Sequence, residues 1–298
     1  MRAAEFEEKE YEGPLCAQLG HGPLFWPPGQ VLENYLGFDR GLFVTARYLW
    51  SVHGVRSPLR GVIPYDEYWP FLPHFARRRD RLPSFRLNCF IQVKRCHVGR
   101  RLPKVLAALG TNRPFFRIDI DDAQQATLDR AAAALAGRAL FIYAAPVFGT
   151  ARELFSLMMQ GRLVENSTFP GVGALSGHRA WYYSEPGAVG LANPDYERIE
   201  LPSLADRVRD LRRESGRTEL GAAPSDQLAS LSRAIRGAVQ GAFETAEADP
   251  RAAYLAQDWQ DIASYTERFE VPPAGRAFLE VMAFGHRYNL EWFTVAPG

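Results

Sequence analysis

The stretch FRLNCFIQVKR, residues 85–95, decides how this chain folds. Leu87, Cys89, Ile91 and Val93 alternate with Asn88, Phe90, Gln92 and Lys94. Successive side chains of a strand point to opposite faces, so this period of two predicts a β-strand with one dry face and one mixed face. Residues two apart project to the same face, about 6–7 Å from each other. Gln92 and Lys94 are therefore expected to point at one spot, an amide oxygen beside an ammonium group.

Working outward, Phe115–Ile120 and Arg138–Ala145 (RALFIYAA) read as further strands, the second apolar enough for burial on both faces. Between them, Asp122 followed by Gln125 predicts a capping box for a helix running to Leu135 and stopped by Gly137. Upstream, residues 4–20 read as a helix with Phe6, Leu15 and Leu19 in its apolar stripe and Glu5, Glu8 and Glu12 recurring beside them. Pro28 to Tyr35 predicts a short helix and Leu42–Trp50 a strand. Arg56 to Pro83, rich in proline and aromatic residues, reads as an irregular insertion carrying a short helix near 65–78. From Leu201 to Trp292 the periodicity is helical, and Pro202, Pro224, Pro250 and Pro272-Pro273 divide it into roughly four helices. This order predicts an α/β fold with a mixed sheet over residues 1–200 and an α-helical C-terminal domain over 201–298.

With 298 residues, 47% hydrophobic and 23% charged, the chain has the composition of a globular protein with a substantial core. No stretch approaches the ~20 apolar residues of a membrane helix, and the charged N-terminus lacks the apolar core of a signal peptide. Cys16, Cys89 and Cys96 form no CxxC pattern, so a reducing, cytoplasmic setting is expected. The net charge is only +1, which excludes a basic polyelectrolyte. Basic residues nevertheless gather locally at Arg77, Arg78, Arg79, Arg81, Arg86, Lys94, Arg95, Arg100, Arg101 and Lys104, against the single acid Asp80. Such a cluster attracts phosphate; as an isolated feature it equally suits a solvated face.

Lysine usage singles out one position. The only lysines are Lys9, Lys94 and Lys104, in a chain whose other cations are arginine. An ammonium has a pKa that moves readily, whereas a guanidinium stays protonated, so a mid-strand lysine here suits a chemical role. Gly37-Phe38-Asp39 places a lone acid at the end of an apolar segment. If Asp39 reaches the Gln92–Lys94 spot, the site holds a carboxylate, an amide oxygen, the Val93 carbonyl and an ammonium group. A hard divalent cation takes oxygen ligands of this kind and polarises a phosphate, while the ammonium offsets the charge that builds on its oxygens.

Other constellations carry less. Cys89, Cys96 and His97 lack a fourth ligand at regular spacing for zinc. Gly171–Gly177 is neither a nucleophile elbow nor a dinucleotide loop and reads as a loop. Asp119, Asp121 and Asp122 are explained by helix capping, and His178 reads as a structural histidine. No Walker loop is present.

An acid closing a hairpin segment, then Gln-x-Lys on a central strand, a helix and a buried strand, resembles the PD-(D/E)XK nuclease superfamily in its Gln-x-Lys form. The resemblance covers residues 4–145. It implies a restriction-endonuclease-like core of order αβββαβ, Mg²⁺ or Mn²⁺ as cofactor, and hydrolysis of nucleic-acid phosphodiesters, DNA ahead of RNA. Asp39 matches the metal-binding aspartate, Gln92 stands where the family usually has Asp or Glu, and Lys94 matches the lysine that acts on the attacking water. Glu12 is the candidate for the first-helix glutamate, with Glu8 and Glu33 as alternatives. Arg77, Arg78, Arg79, Arg95, Arg100 and Arg101 are the expected nucleic-acid contacts. Fold analogy further suggests an effector in bacterial antiviral defence, with the helical region binding a regulatory protein or a second copy. Because a neutral amide is a weaker ligand than a carboxylate, the alternative expectation is a weakened nuclease fold acting as a nucleic-acid-binding or assembly subunit.

Overall fold

The computed structural model describes residues 1–20, 25–26, 41–44, 61–64, 85–100, 104–109, 114–187, 189–218, 222–243, 249–268 and 270–294. The elements in chain order begin with β1 (Arg2–Ala3), α1 (Glu8–Gly20), β2 (Phe25–Trp26), β3 (Gly41–Val44) and β4 (Gly61–Pro64). Next come β5 (Asn88–Val93), β6 (His97–Gly99), β7 (Phe115–Asp119), α2 (Asp122–Ala134), β8 (Ala139–Pro146) and α3 (Ala151–Met159). They are followed by β9 (Ser167–Thr168), β10 (Ala180–Tyr183), β11 (Val189–Asn193) and β12 (Glu197–Glu200). Helices α4 (Leu204–Thr218), α5 (Pro224–Phe243), α6 (Pro250–Arg268) and α7 (Pro273–Arg287) lead to a final strand, β13 (Glu291–Thr294). The fold is mixed α/β with C-terminal helices, as the sequence predicts.

The decisive stretch forms β5 at the heart of a mixed sheet of order β13-β5-β8-β9. β5 and β8 run parallel in register from Asn88↔Ala139 to Val93↔Ala144, with α2 lying between them in the chain. A parallel pair needs a long crossover, and α2 forms part of it. β6 and β7 also lie in this connection and join a six-stranded sheet of order β1-β6-β7-β10-β11-β12, which the sequence reading does not anticipate. β2, β3 and β4 form a three-stranded antiparallel sheet.

The mixed face expected on β5 is corrected: all six residues of the strand are buried. Helices cover the face that carries Phe90 and Gln92. Phe90 stacks on Phe141 at 4.7 Å between centroids and meets Phe284 of α7 edge-on at 6.0 Å. α5 packs on both α2 and α7, and α7 on α6, so the helical region beyond residue 201 closes over the same continuous core.

Three of the four C-terminal helices start on a predicted proline, Pro224, Pro250 and Pro273, because a proline at N1 lacks only an N–H that would go unbonded there, while α4 starts two residues after Pro202. The helical reading fails at the end of the chain. Tyr288 caps α7, Leu290 N–H donates to Gly285 O at 2.8 Å, and Asn289 N–H donates to His286 O at 3.2 Å. These two bonds form a Schellman turn, with Asn289 in the left-handed region at φ 50°. The chain reverses there, and β13 pairs antiparallel with β5 from Glu291↔Ile91 to Thr294↔Asn88.

Three smaller corrections follow, two of them at helix ends, where local pattern is least decisive. α1 begins at Glu8, with Phe6 buried ahead of it. The cap of α2 is Asp121, whose carboxylate accepts from Gln124 N–H at 2.9 Å, one residue before the predicted capping box. β4 lies inside the segment read as irregular. The predicted helix at 28–35 and most of the strand at 42–50 lie outside the described residues.

Candidate functional site

Lys94 follows directly on β5, and its N–H continues the parallel ladder by donating to Ala144 O at 2.8 Å. Its ammonium lies 5.8 Å from the centroid of the Tyr143 ring. Tyr143 is the β8 residue opposite Gln92 and is fully buried. Its hydroxyl donates to Gln125 Oε1 on α2, while Gln125 Nε2 donates to Val172 O at 2.8 Å and to Asp129 Oδ1 at 2.9 Å. Sheet and crossover helix together hold the ring that faces Lys94.

Glu8, on the first turn of α1, reaches the backbone beside this lysine, and its charge acts on the ammonium together with those of Asp121 and Asp119. Burial pushes the Glu8 carboxyl above the usual range, opposed by the Lys94 charge, the Arg95 N–H and the Asn289 amide. Arg95 N–H donates to Glu8 Oε2 at 3.2 Å, and Asn289 Nδ2 to Glu8 Oε1 at 2.7 Å. Burial likewise holds the Lys94 ammonium below its ordinary pKa, against the attraction of Glu8, Asp121 and Asp119, and Arg251 adds to the lowering. Each group is drawn out of water and each is partly compensated by the other.

Gln92 is 2% exposed. Its Nε2 donates to Tyr288 O at 3.2 Å, and Gln124 Nε2 donates to the same carbonyl at 2.8 Å. Gln92 Oε1 is buried and has no hydrogen-bond partner among the described residues. Such an atom carries a desolvation cost of about 1–3 kcal/mol unless something occupies it. β13 pairs only as far as Ile91, so Gln92 and Val93 lie beyond its end, beside the Tyr288–Asn289 turn. Val93 closes β5 with its side chain fully buried.

A second layer comes from the helical region. Arg251, in the first turn of α6, donates to Asp121 Oδ2 at 2.8 Å and to Asp249 Oδ1 at 3.3 Å. The Arg251 guanidinium holds Asp121 below the usual carboxylate range. The acidic triplet accordingly serves structure: Asp121 caps α2, Asp119 pairs with Arg117 and His97, and Asp122 pairs with Arg179.

Of the sequence-predicted site, Gln92 and Lys94 fall together at one end of the parallel pair. Glu12 is buried on α1, 4% exposed, one turn on from Glu8. Asp39, Glu33, Arg77, Arg78, Arg79 and Arg101 lie outside the described residues. Arg95 turns its guanidinium to the Ala4 carbonyl, Arg86 reaches Ser215 O, and Arg100 is exposed. His178 is tied to Asn193 O at 3.0 Å. Burial pushes the Cys89 and Cys96 thiols up to about 12, as suits inert core cysteines. Tyr143, Gln124, Gln125, Arg251, Tyr288 and Asn289 are missed by sequence reasoning. Only Asn289 carries a local signal, as an asparagine just past a helix end.

For a hard divalent cation, the described donors are the unpartnered Gln92 Oε1 and the Glu8 carboxylate, linked through the consecutive residues Tyr288 and Asn289. Among the described residues, no group of three or more His, Cys, Asp or Glu side chains is placed to hold a metal ion. Amide and carboxylate oxygens are donor types of hard divalent cations, and Asp39, the carboxylate expected from the sequence, lies outside the described residues. Comparison with protein-family models, with curated proteins and with solved structures finds no match. Among the described residues no helix is long and apolar enough to cross a membrane.

Proposed function

We propose that the protein is a metal-dependent phosphodiesterase acting on nucleic acid, DNA ahead of RNA, with its site at the Lys94 end of the β5–β8 pair. The observation that carries this reading is the gathering of a buried lysine, a buried glutamate and an amide oxygen without a partner among the described residues at one strand end. Buried unsatisfied polar atoms and perturbed charges gather at functional sites more than elsewhere.

In this reading Gln92 Oε1 and Glu8, with Asp39, would hold Mg²⁺ or Mn²⁺, which would supply polarisation of the scissile phosphate and a more acidic water. Lys94 would orient the attacking water and offset charge developing on the phosphoryl oxygens. Its lowered pKa lets it release a proton more readily than an exposed lysine. The Tyr143 ring keeps the ammonium in place through its π face. Arg251 supplies a second positive charge near Lys94.

The test is incubation with linear, circular and single-stranded DNA and with RNA, in Mg²⁺ or Mn²⁺, beside Lys94→Ala and Asp39→Ala. Metal-dependent cleavage lost in both variants is expected. Cleavage that persists unchanged in both removes the site assignment.

A second reading, a nucleic-acid-binding or assembly subunit without catalysis, is favoured by the mutual charge compensation of Glu8 and Lys94. Calorimetric titration separates the two. Absence of measurable affinity at millimolar Mg²⁺ with DNA bound selects the binding subunit.

A further inference from the structure

In the helical region, one buried carboxylate gathers more positive charge than it can neutralise. Glu280 of α7 is 6% exposed. Its Oε2 accepts from the Ser232 hydroxyl of α5, while its Oε1 accepts from Arg236 Nη1 at 2.8 Å and from Arg276 Nε at 3.0 Å. Two guanidiniums, one from α5 and one from α7, therefore stand on the same oxygen. One cation balances a buried carboxylate, and the serine bond already satisfies its second oxygen. The other arginine is surplus, and two like charges held side by side repel until a further anion joins them.

Both arginines are placed to receive that anion. Their side chains are 36% and 43% exposed, against 7% for Glu280, so the carboxylate lies beneath and the guanidiniums reach water. Each guanidinium carries five N–H donors. Among the described residues, Glu280 is the one group to which either of them donates. The Arg236 guanidinium lies 5.2 Å from the centroid of the Trp259 ring, whose Nε1 donates to Glu280 O at 3.1 Å. The ring under one fork and the bond along α7 under the other hold both in place before a ligand arrives. Arg276 also ends the first turn of α7, whose start at Pro272 has no side-chain cap, so the positive end of the helix dipole adds to the same field.

We propose that Arg236 and Arg276 form a binding site for a phosphate-type oxyanion, with Glu280 as the buried anchor that positions them. A planar fork pairs two N–H groups with two phosphate oxygens, which suits two converging arginines to this ligand. The site lies at the opposite end of α7 from the Tyr288–Asn289 turn and stands whether or not the strand end takes a metal.

Calorimetric titration of the full-length protein with inorganic phosphate and with a nucleoside monophosphate tests the site. Equal affinities identify the phosphate group alone as the ligand, and tighter binding of the nucleotide identifies a phosphate carried on an organic group. Arg276→Gln leaves Arg236 to balance Glu280, so the fold is retained, and binding is expected to weaken about tenfold, the worth of one charge-assisted hydrogen bond. Arg276→Lys keeps the charge without the fork and is expected to fall between. Glu280→Gln moves the affinity the other way, because glutamine keeps an acceptor for both arginines and drops the competing charge. Phosphate is expected to bind this variant more tightly and to raise its urea midpoint more than that of the wild type. No phosphate binding by the wild type at millimolar concentration, unchanged binding in Arg276→Gln, or weakened binding in Glu280→Gln each overturns the site and leaves a purely structural ion cluster.

Discussion

The Lys94 ammonium lies 5.8 Å from the centroid of the Tyr143 ring, and the Tyr143 hydroxyl is bonded in turn to Gln125 of the crossover helix. A strand end, its parallel neighbour and the helix between them are thus joined through one lysine. Burial weakens the hold of this lysine on its proton, and Glu8 strengthens it.

That balance predicts a pH dependence of stability. The Lys94 pKa is lowered on folding, so the unfolded chain binds more protons between the folded value and the ordinary lysine value of about 10.4. The Lys94 contribution to stability is full above the unfolded pKa and declines as pH falls through the folded one. Lys94→Met is expected to remove this slope and to raise the urea midpoint at neutral pH, since it deletes a desolvated charge. An unchanged slope argues against the buried lysine.

Glu8 carries the opposite sign. Its pKa is raised on folding, so its contribution is full below the unfolded value and declines as pH rises through the folded one. Thermal melts of Glu8→Gln from about pH 4 upward are expected to show a shallower decline than the wild type. A steeper decline than the wild type contradicts the assigned direction.

Tyr143→Phe retains the ring beneath Lys94 and removes the donor to Gln125 Oε1, leaving a buried acceptor unpaired. A loss of about 1–3 kcal/mol is expected from denaturant unfolding. Tyr143→Leu, which also removes the π face, is expected to impair cleavage beyond the effect of Tyr143→Phe.

Asp121 combines two roles that substitution can separate. Asparagine still caps a helix, so Asp121→Asn retains the bond to Gln124 N–H and loses the charge opposite Arg251. Asp121→Ala loses both and is expected to cost about 1 kcal/mol more, the usual worth of a cap. Equal losses in the two variants indicate that the cap contributes nothing.

Phe90→Ala opens a void between the sheet and α7, because the ring lies against Phe141, Phe284 and Trp292. A destabilisation of about 3–5 kcal/mol is expected. Circular dichroism that loses helix and strand signal in one transition would show that the C-terminal helices unfold with the sheet they cover.

Much of this architecture was legible in the chain itself. The alternation over residues 85–95 marks the central strand, the apolar run at 138–145 its buried partner, and the prolines at 224, 250 and 272–273 the helix starts. These signals are local, since a strand's period and a proline's missing N–H act within a few residues. Gln92 and Lys94 stood out for the same reason, being two apart on one strand. What the sequence left open depended on distant segments. Whether the Phe90–Gln92 face meets water is decided by helices beginning more than a hundred residues later. Which glutamate reaches the backbone beside Lys94 is decided by how α1 lies at the strand end, and Glu8 and Glu12 are equivalent in helical periodicity alone. The contact from Asn289 to Glu8 spans a sequence separation of 281 residues. No local propensity encodes such a contact; burial of one shared core brings its ends together.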